Sequence, residues 1–147
     1  MDAARLDDYI SAWVLHPLAG SPGGASALAD LLGFMSQTVR YEDVPSGMVF
    51  LGHEGVREMS EMAFQWSSDI AFTAVSRQTN GSRYAFEVET TGTNTTALGP
   101  IPATGRPFVL RGVSVGTVSA DGLVVEHRDY WDMGAFLTQI GLLTAPS

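Results

Sequence analysis

Seven consecutive residues near the C-terminus, Glu126-His127-Arg128-Asp129-Tyr130-Trp131-Asp132, combine acids, a base and hydrogen-bonding aromatics beside the apolar pair Val124-Val125. In an extended strand alternate side chains share a face. His127, Asp129 and Trp131 then go one way with Val125, while Glu126, Arg128, Tyr130 and Asp132 go the other with Val124. Both faces carry apolar surface, so alternation alone does not choose between them. A carboxylate such as Asp129, partly desolvated among aromatic rings, is driven up in pKa towards general acid or base work. Proton transfer by such a group is worth ~10²–10⁴-fold in rate. A second candidate pair is Tyr41 and Asp43, which alternate with Val39 and so share a face. A Tyr hydroxyl or an Asn amide, as at Tyr41 and Asn94, suits stabilisation of an enolate or alkoxide oxygen.

These groups must be positioned by a mixture of helices and strands. Residues 2–15 read as an amphipathic helix with Leu6, Tyr9, Ile10 and Trp13 on one stripe. Pro17 and the glycine-rich stretch after Gly20 break it. Leu28, Leu31, Leu32 and Met35 mark a second helix, and the strand carrying Val39, Tyr41 and Asp43 stops at Pro45-Ser46-Gly47. A third helix opens near His53-Glu54, where an acid suits the N-terminal dipole, and turns Val56, Met59, Ala63 and Trp66 inward. Strands follow over residues 70–77, 83–95, 108–119 and 123–131, with Asn80-Gly81 turning between the first two. On the second of these, Tyr84, Phe86, Val88, Thr90, Gly92 and Asn94 form the apolar face, and Glu87 and Glu89 the wet one. Asp132 caps a last helix over residues 133–142. Helices first and a run of antiparallel strands afterwards predict an α+β fold, as one domain over residues 1–147.

Composition narrows the chemistry. The net charge of −8 argues against nucleic acid as a partner, since phosphate binding needs a basic face. There is no Cys, hence no thiolate nucleophile or Cys-based metal site, and no Lys, hence no Schiff-base chemistry. His16, His53 and His127 lack ligand spacing, and His53-Glu54 fails as a metalloprotease motif because Arg57 stands where the second His is needed. No metal and no cofactor are expected. No apolar run approaches the roughly 20 residues of a membrane span. The acidic N-terminus is unlike a secretory signal, so the cytoplasm is the expected compartment.

Three blocks, YEDVPSGMVFLGHEGVREM from Tyr41, GTNTTALGPIPATGRPFVLRGVSV from Gly92 and DGLVVEHRDYWDMGAFLTQIGLL from Asp121, resemble the SnoaL-like branch of the nuclear-transport-factor-2-like superfamily. That superfamily includes polyketide cyclases, ketosteroid isomerases and limonene epoxide hydrolases. The resemblance implies a cone, in which a curved antiparallel sheet wraps helices around an apolar pocket, and a homodimer. It also favours the His127–Asp129–Trp131 face as the inner one, since the matching Asp points inward in the epoxide hydrolases. Tyr41-Glu42-Asp43-Val44-Pro45 is similar to their Tyr-x-Asn-x-Pro water-positioning block, and Asp129 matches their general base. Their Arg and second Asp would fall at about Gly92 and Asn94, leaving Arg111 as a substitute. SnoaL-like cyclases show GTHTG where this chain has Gly92-Thr93-Asn94-Thr95-Thr96, and their acid/base Asp would fall near residues 109–111, where none stands. The expected catalytic set is Asp129, Tyr41, Asp43 and His127, with Asn94, Trp131, Trp66, Arg111 and Phe86 contacting the substrate. Structural alternatives stand beside several of these: His127 simply satisfying an acid, Asn94 tying down its loop, the Trp residues serving as core. The implied function is acid/base cyclisation or isomerisation of a lipophilic polyketide- or terpenoid-like molecule. Epoxide hydrolysis and non-catalytic small-molecule binding are the alternatives.

Overall fold

Asp2 starts the first helix, α1 (Ala3–Trp13), by accepting a hydrogen bond from the Arg5 N–H at 2.8 Å, which satisfies a donor the helix itself leaves open. The computed structural model describes residues 1–144, so residues 145–147 of the expected domain lie outside the described residues. After α1 come two short helices, α2 (His16–Ala19) and α3 (Ala25–Leu32), then strands β1 (Met35–Asp43) and β2 (Met48–Leu51) and the helix α4 (Gly52–Trp66). The second half runs β3 (Ala71–Thr79), β4 (Arg83–Thr93), β5 (Pro107–Val118), β6 (Val124–Trp131) and α5 (Met133–Gln139). Asp132 caps α5 as expected, accepting from the Ala135 N–H at 2.9 Å. Among the described residues no helix is long and apolar enough to cross a membrane.

The sheet has six strands in the order β2-β1-β6-β5-β4-β3. Strands β3 to β6 form an antiparallel meander turned at Asn80-Gly81, where Gly81 takes the φ of 96° that a side chain would resist. The expected α+β class holds, with one parallel pairing in the otherwise antiparallel sheet. There β1 runs alongside β6 and brings Tyr41 opposite His127 and Asp43 opposite Asp129.

Packing follows the stripes. Leu6, Tyr9, Ile10 and Trp13 of α1 are buried against Val39 and Tyr41 of β1 and Tyr84, Phe86 and Val88 of β4. A second cluster at the α5 end joins Phe108, Leu110, Phe136 and Ile140, with Trp66 and Trp131 against it. Each such large side chain contributes about 1.5–3 kcal/mol when fully buried.

Two expectations about these elements are corrected. Met35 opens β1, paired with Val124, instead of ending a helix, because α3 stops at Gly33. Val124 is fully buried and not on the outer face. Register shifts between Thr117 and Val118 and between Met35 and Arg40 break the alternation, so Val124 and His127 both face inward although three residues apart.

Candidate active site

Between the two clusters lies an apolar cavity of about 580 Å³. Its walls come from α1, α2, α4, the inner faces of β1, β4, β5 and β6, and the loop around Leu98–Ile101. Asp43 and Asp129 bring carboxylates to it from adjacent strands.

Asp129 is held by three donors. His127 Nε2 lies 2.8 Å from Oδ1, Ser114 Oγ donates to the same oxygen at 2.6 Å, and the Tyr41 hydroxyl donates to Oδ2 at 2.5 Å. Ser114 arrives there because it is the register partner of Asp129 across the β5–β6 ladder. The Tyr41 hydroxyl accepts in turn from Trp13 Nε1 at 2.8 Å, and its ring stacks on His127 with centroids 4.6 Å apart. Behind the carboxylate, His127 Nδ1 meets the hydroxyls of Tyr84 at 2.7 Å and Tyr9 at 2.9 Å. Gly116 makes room for this arrangement, since a Cβ there would sit 2.2 Å from the Tyr84 ring. His127 is fully buried, whereas the Asp129 side chain keeps 18 % of its surface open, so the acid and not the imidazole faces the cavity.

Asp43 also accepts three hydrogen bonds, one of them from the Ser46 backbone N–H to Oδ2 at 3.3 Å. Trp131 Nε1 donates to its Oδ1 at 2.6 Å, and the Ser46 hydroxyl to its Oδ2 at 2.5 Å.

The two carboxyls differ in proton affinity. For Asp129, burial alone would push the pKa up, as the sequence suggested. The His127 ring and the hydrogen bonds from His127, Ser114 and Tyr41 outweigh burial and hold the carboxyl below its ordinary value. For Asp43 burial wins: it raises the pKa against the Ser46 and Trp131 hydrogen bonds, and the negative charge of Asp129 adds to the rise. The elevated carboxyl expected at Asp129 is therefore found at Asp43. Burial also raises the Tyr41, Tyr9 and Tyr84 hydroxyls above their usual range.

The structure brings Tyr41, Asp43, Asp129, Trp66 and Trp131 together on the cavity wall. His127 stands one layer back. Phe86 is buried in the core, packed on Trp13 with centroids 5.1 Å apart, and forms no part of the lining. Asn94 is sealed in a loop knot: its amide donates to Pro102 O and Thr104 Oγ1 at 3.0 and 3.1 Å, and its Oδ1 accepts from Trp66 Nε1 at 3.4 Å. It leaves no group for a substrate.

Arg111 lies on the outer face of β5, opposite Glu89, because Phe108, Leu110 and Ser114 set the inward phase. It does not replace the missing Arg of an epoxide hydrolase. Strand phase applied to β5 would have shown this, and would have found Ser114. His16 was also missed as a cavity residue, for its short helix leaves no periodic signal. Among the described residues no group of three or more His, Asp or Glu converges as metal ligands do.

Helices gathered inside a curved sheet, with a pocket between them, define an α+β cone of the nuclear-transport-factor-2-like type. The chain belongs to the SnoaL-like polyketide cyclase family, whose profile matches residues 23–140. A comparison with curated proteins finds no match. Among solved structures, TsrD from Streptomyces laurentii is similar with a TM-score of 0.81 and 21 % identity, over 97 % of this chain and 99 % of that one. A protein of ketosteroid isomerase-like fold from Catenulispora acidiphila, in complex with trimethylamine, gives 0.72 and 16 %, over 95 % and 98 %. TerC, co-crystallised with polyporic acid, gives 0.65 and 19 %, over 90 % and 98 %. At these identities the likeness is one of fold.

Proposed function

We propose that this protein is an acid/base enzyme that needs no cofactor and cyclises or isomerises a lipophilic, polyketide- or terpenoid-like molecule. One observation carries the reading: Asp43 and Asp129 face each other across the β1–β6 ladder at an apolar cavity, in surroundings that push their proton affinities apart. Such a split assigns roles. Asp43, with the higher affinity, takes the proton from a carbon beside a carbonyl, and the C–H electron pair passes into an enolate. In a cyclisation the enolate carbon attacks a second carbonyl, a C–C bond forms, and the resulting alkoxide recovers the proton from Asp43. In an isomerisation Asp43 returns the proton to a different carbon. Asp129 stays ionised, and its charge keeps Asp43 basic. Membership of the cyclase family supports this chemistry, and the polyporic acid complex of TerC supports a lipophilic ligand.

We also propose a homodimer formed through the outer face of the sheet, where Val109 and Val113 of β5 and Tyr130 of β6 are exposed.

Nitrobenzisoxazole tests the acid/base reading without knowledge of the substrate. A base removes its ring C–H proton, the N–O bond breaks, and a coloured cyano-nitrophenolate forms. The protein should catalyse this saturably and ~10²-fold or more faster than free acetate, and Asp43→Asn should abolish the gain. Saturable binding with no rate above acetate would instead mark a binding protein, and an unchanged rate in Asp43→Asn would remove Asp43 from its role.

A further inference from the structure

The polar groups of the cavity wall are unevenly matched. Its side-chain donors are mostly committed to the protein's own acceptors: Trp13 to Tyr41, Tyr41 and Ser114 to Asp129, Ser46 and Trp131 to Asp43, Trp66 to Asn94. Among the described residues, only the hydroxyl of Thr90 keeps no such partner on the lining; Tyr130 meets the rim but turns its side chain to the outer face of the sheet. What the wall offers a ligand is acceptors.

His16 is the acceptor without a role so far. Its Nδ1 lies 2.9 Å from the Trp13 carbonyl oxygen, which only accepts, so Nδ1 carries the proton and the lone pair of the neutral ring is on Nε2. Nε2 makes no hydrogen bond among the described residues. Nor is it sealed off, since the orphaned buried side-chain polar atoms there are Ser60 Oγ and Arg128 Nε. The residue is 4 % exposed and lines the cavity, so that opening is into the cavity. Trp13 and Phe72 flank the ring, with centroids 5.0 and 4.7 Å away, and fix its direction. Burial pushes the His16 pKa down to about 4, which keeps the ring neutral near pH 7.

We propose that His16 is a specificity-determining residue: its Nε2 accepts a hydrogen bond from an O–H or N–H of the ligand, so the cavity selects aromatic or enolic hydroxyl compounds over their ethers. The proposal deepens the acid/base reading and rests on the same cavity. A binding measurement tests it, so it can fail while catalysis by Asp43 stands, or survive if that fails.

The probes are naphthol and methoxynaphthalene, titrated against tryptophan fluorescence. The protein should bind naphthol about tenfold more tightly, the worth of one good hydrogen bond to a buried acceptor. His16→Phe should bring the ratio to about twofold or less without weakening methoxynaphthalene, which also reports an intact cavity. His16→Gln, which retains an acceptor, should keep part of the preference. No preference in the unaltered protein, or a preference that survives His16→Phe, would overturn the proposal, the latter assigning recognition to a carboxylate. If His16→Phe binds neither probe, the ¹⁵N resonance of His16 Nε2 in the unaltered protein decides. It moves upfield on adding naphthol if the bond forms, and stays in place if the proposal is wrong.

Discussion

Asp43 and Asp129 are register partners in the parallel β1–β6 pairing, and the backbone N–H of Val44 donates to the Asp129 carbonyl at 3.0 Å, closing the ladder beside them. Two acids so placed do not titrate independently. Asp129 is kept ionised by His127, Ser114 and Tyr41, so the repulsion falls on Asp43, where burial already favours the neutral form.

The pH dependence of proton abstraction follows. Asp43 works as a base only when ionised, so the rate on nitrobenzisoxazole should rise with pH through an acid limb above the usual carboxylate value of about 3.9. Asp129→Asn removes a negative charge and should move that limb to lower pH while turnover persists. Profiles of kcat/KM for both proteins check this. Loss of all turnover in Asp129→Asn, with a fold intact by circular dichroism, would return the base to Asp129.

Support for that acid depends on Gly116. A Cβ there would overlap the Tyr84 ring that reaches His127 Nδ1. Gly116→Ala should destabilise the protein by about 1–3 kcal/mol, the range for forcing extra atoms into a packed core. In a Tyr84→Ala background the same change should cost much less. Urea denaturation of the four proteins gives the coupling; additive effects would mean that the ring is not what Gly116 accommodates.

How far the sequence reached varies with the kind of signal. Long alternating runs gave β4 and its buried Tyr84, Phe86 and Val88, and the α1 stripe gave its core face, because burial of one face imposes the period. Asp132 and Asn80-Gly81 were legible because caps and turns are local. Phase grouped Tyr41 with Asp43 and Asp129 with His127 and Trp131, while the family resemblance was what turned the Asp129 face inward. The pKa order of Asp43 and Asp129 was not legible, since it depends on Ser114 and Tyr41 reaching Asp129 from other strands. Val124 was misplaced because the register shifts that turn it inward arise between strands and leave no mark in the β6 sequence itself. Arg111 was a different failure: a gap left by comparison with a relative was filled against the phase of its own strand.

The outer face makes a separate prediction. Val109, Val113 and Tyr130 are apolar or aromatic groups left exposed beside Arg111. If this face joins two copies, sedimentation equilibrium should give twice the chain mass of 15.7 kDa. The double substitution Val109→Glu and Val113→Glu would bury like charges against each other across a twofold axis and should give the single-chain mass. A single-chain mass for the unaltered protein at tens of micromolar would overturn the dimer.

His16 ties the cavity to acid stability. Its ring is buried neutral, with a pKa pushed down to about 4 by burial; the charge of Asp129 acts against that shift and His127 with it, both more weakly. In the unfolded chain the ring titrates near about 6.5. Between these values the unfolded state binds a proton that the native ring refuses, so native stability is fully present above the window and falls as pH drops through it. The loss approaches about 3 kcal/mol by pH 4. Asp43, with its raised pKa, contributes in the opposite sense, and Asp129 loses its contribution only at still lower pH. Both effects are shared with a His16→Gln variant and cancel in the comparison. Urea unfolding at pH 7 and pH 4.5 should show the unaltered protein losing about 2 kcal/mol more than His16→Gln. Equal losses would mean that His16 accepts a proton in the native fold, and would deprive Nε2 of its lone pair in mild acid.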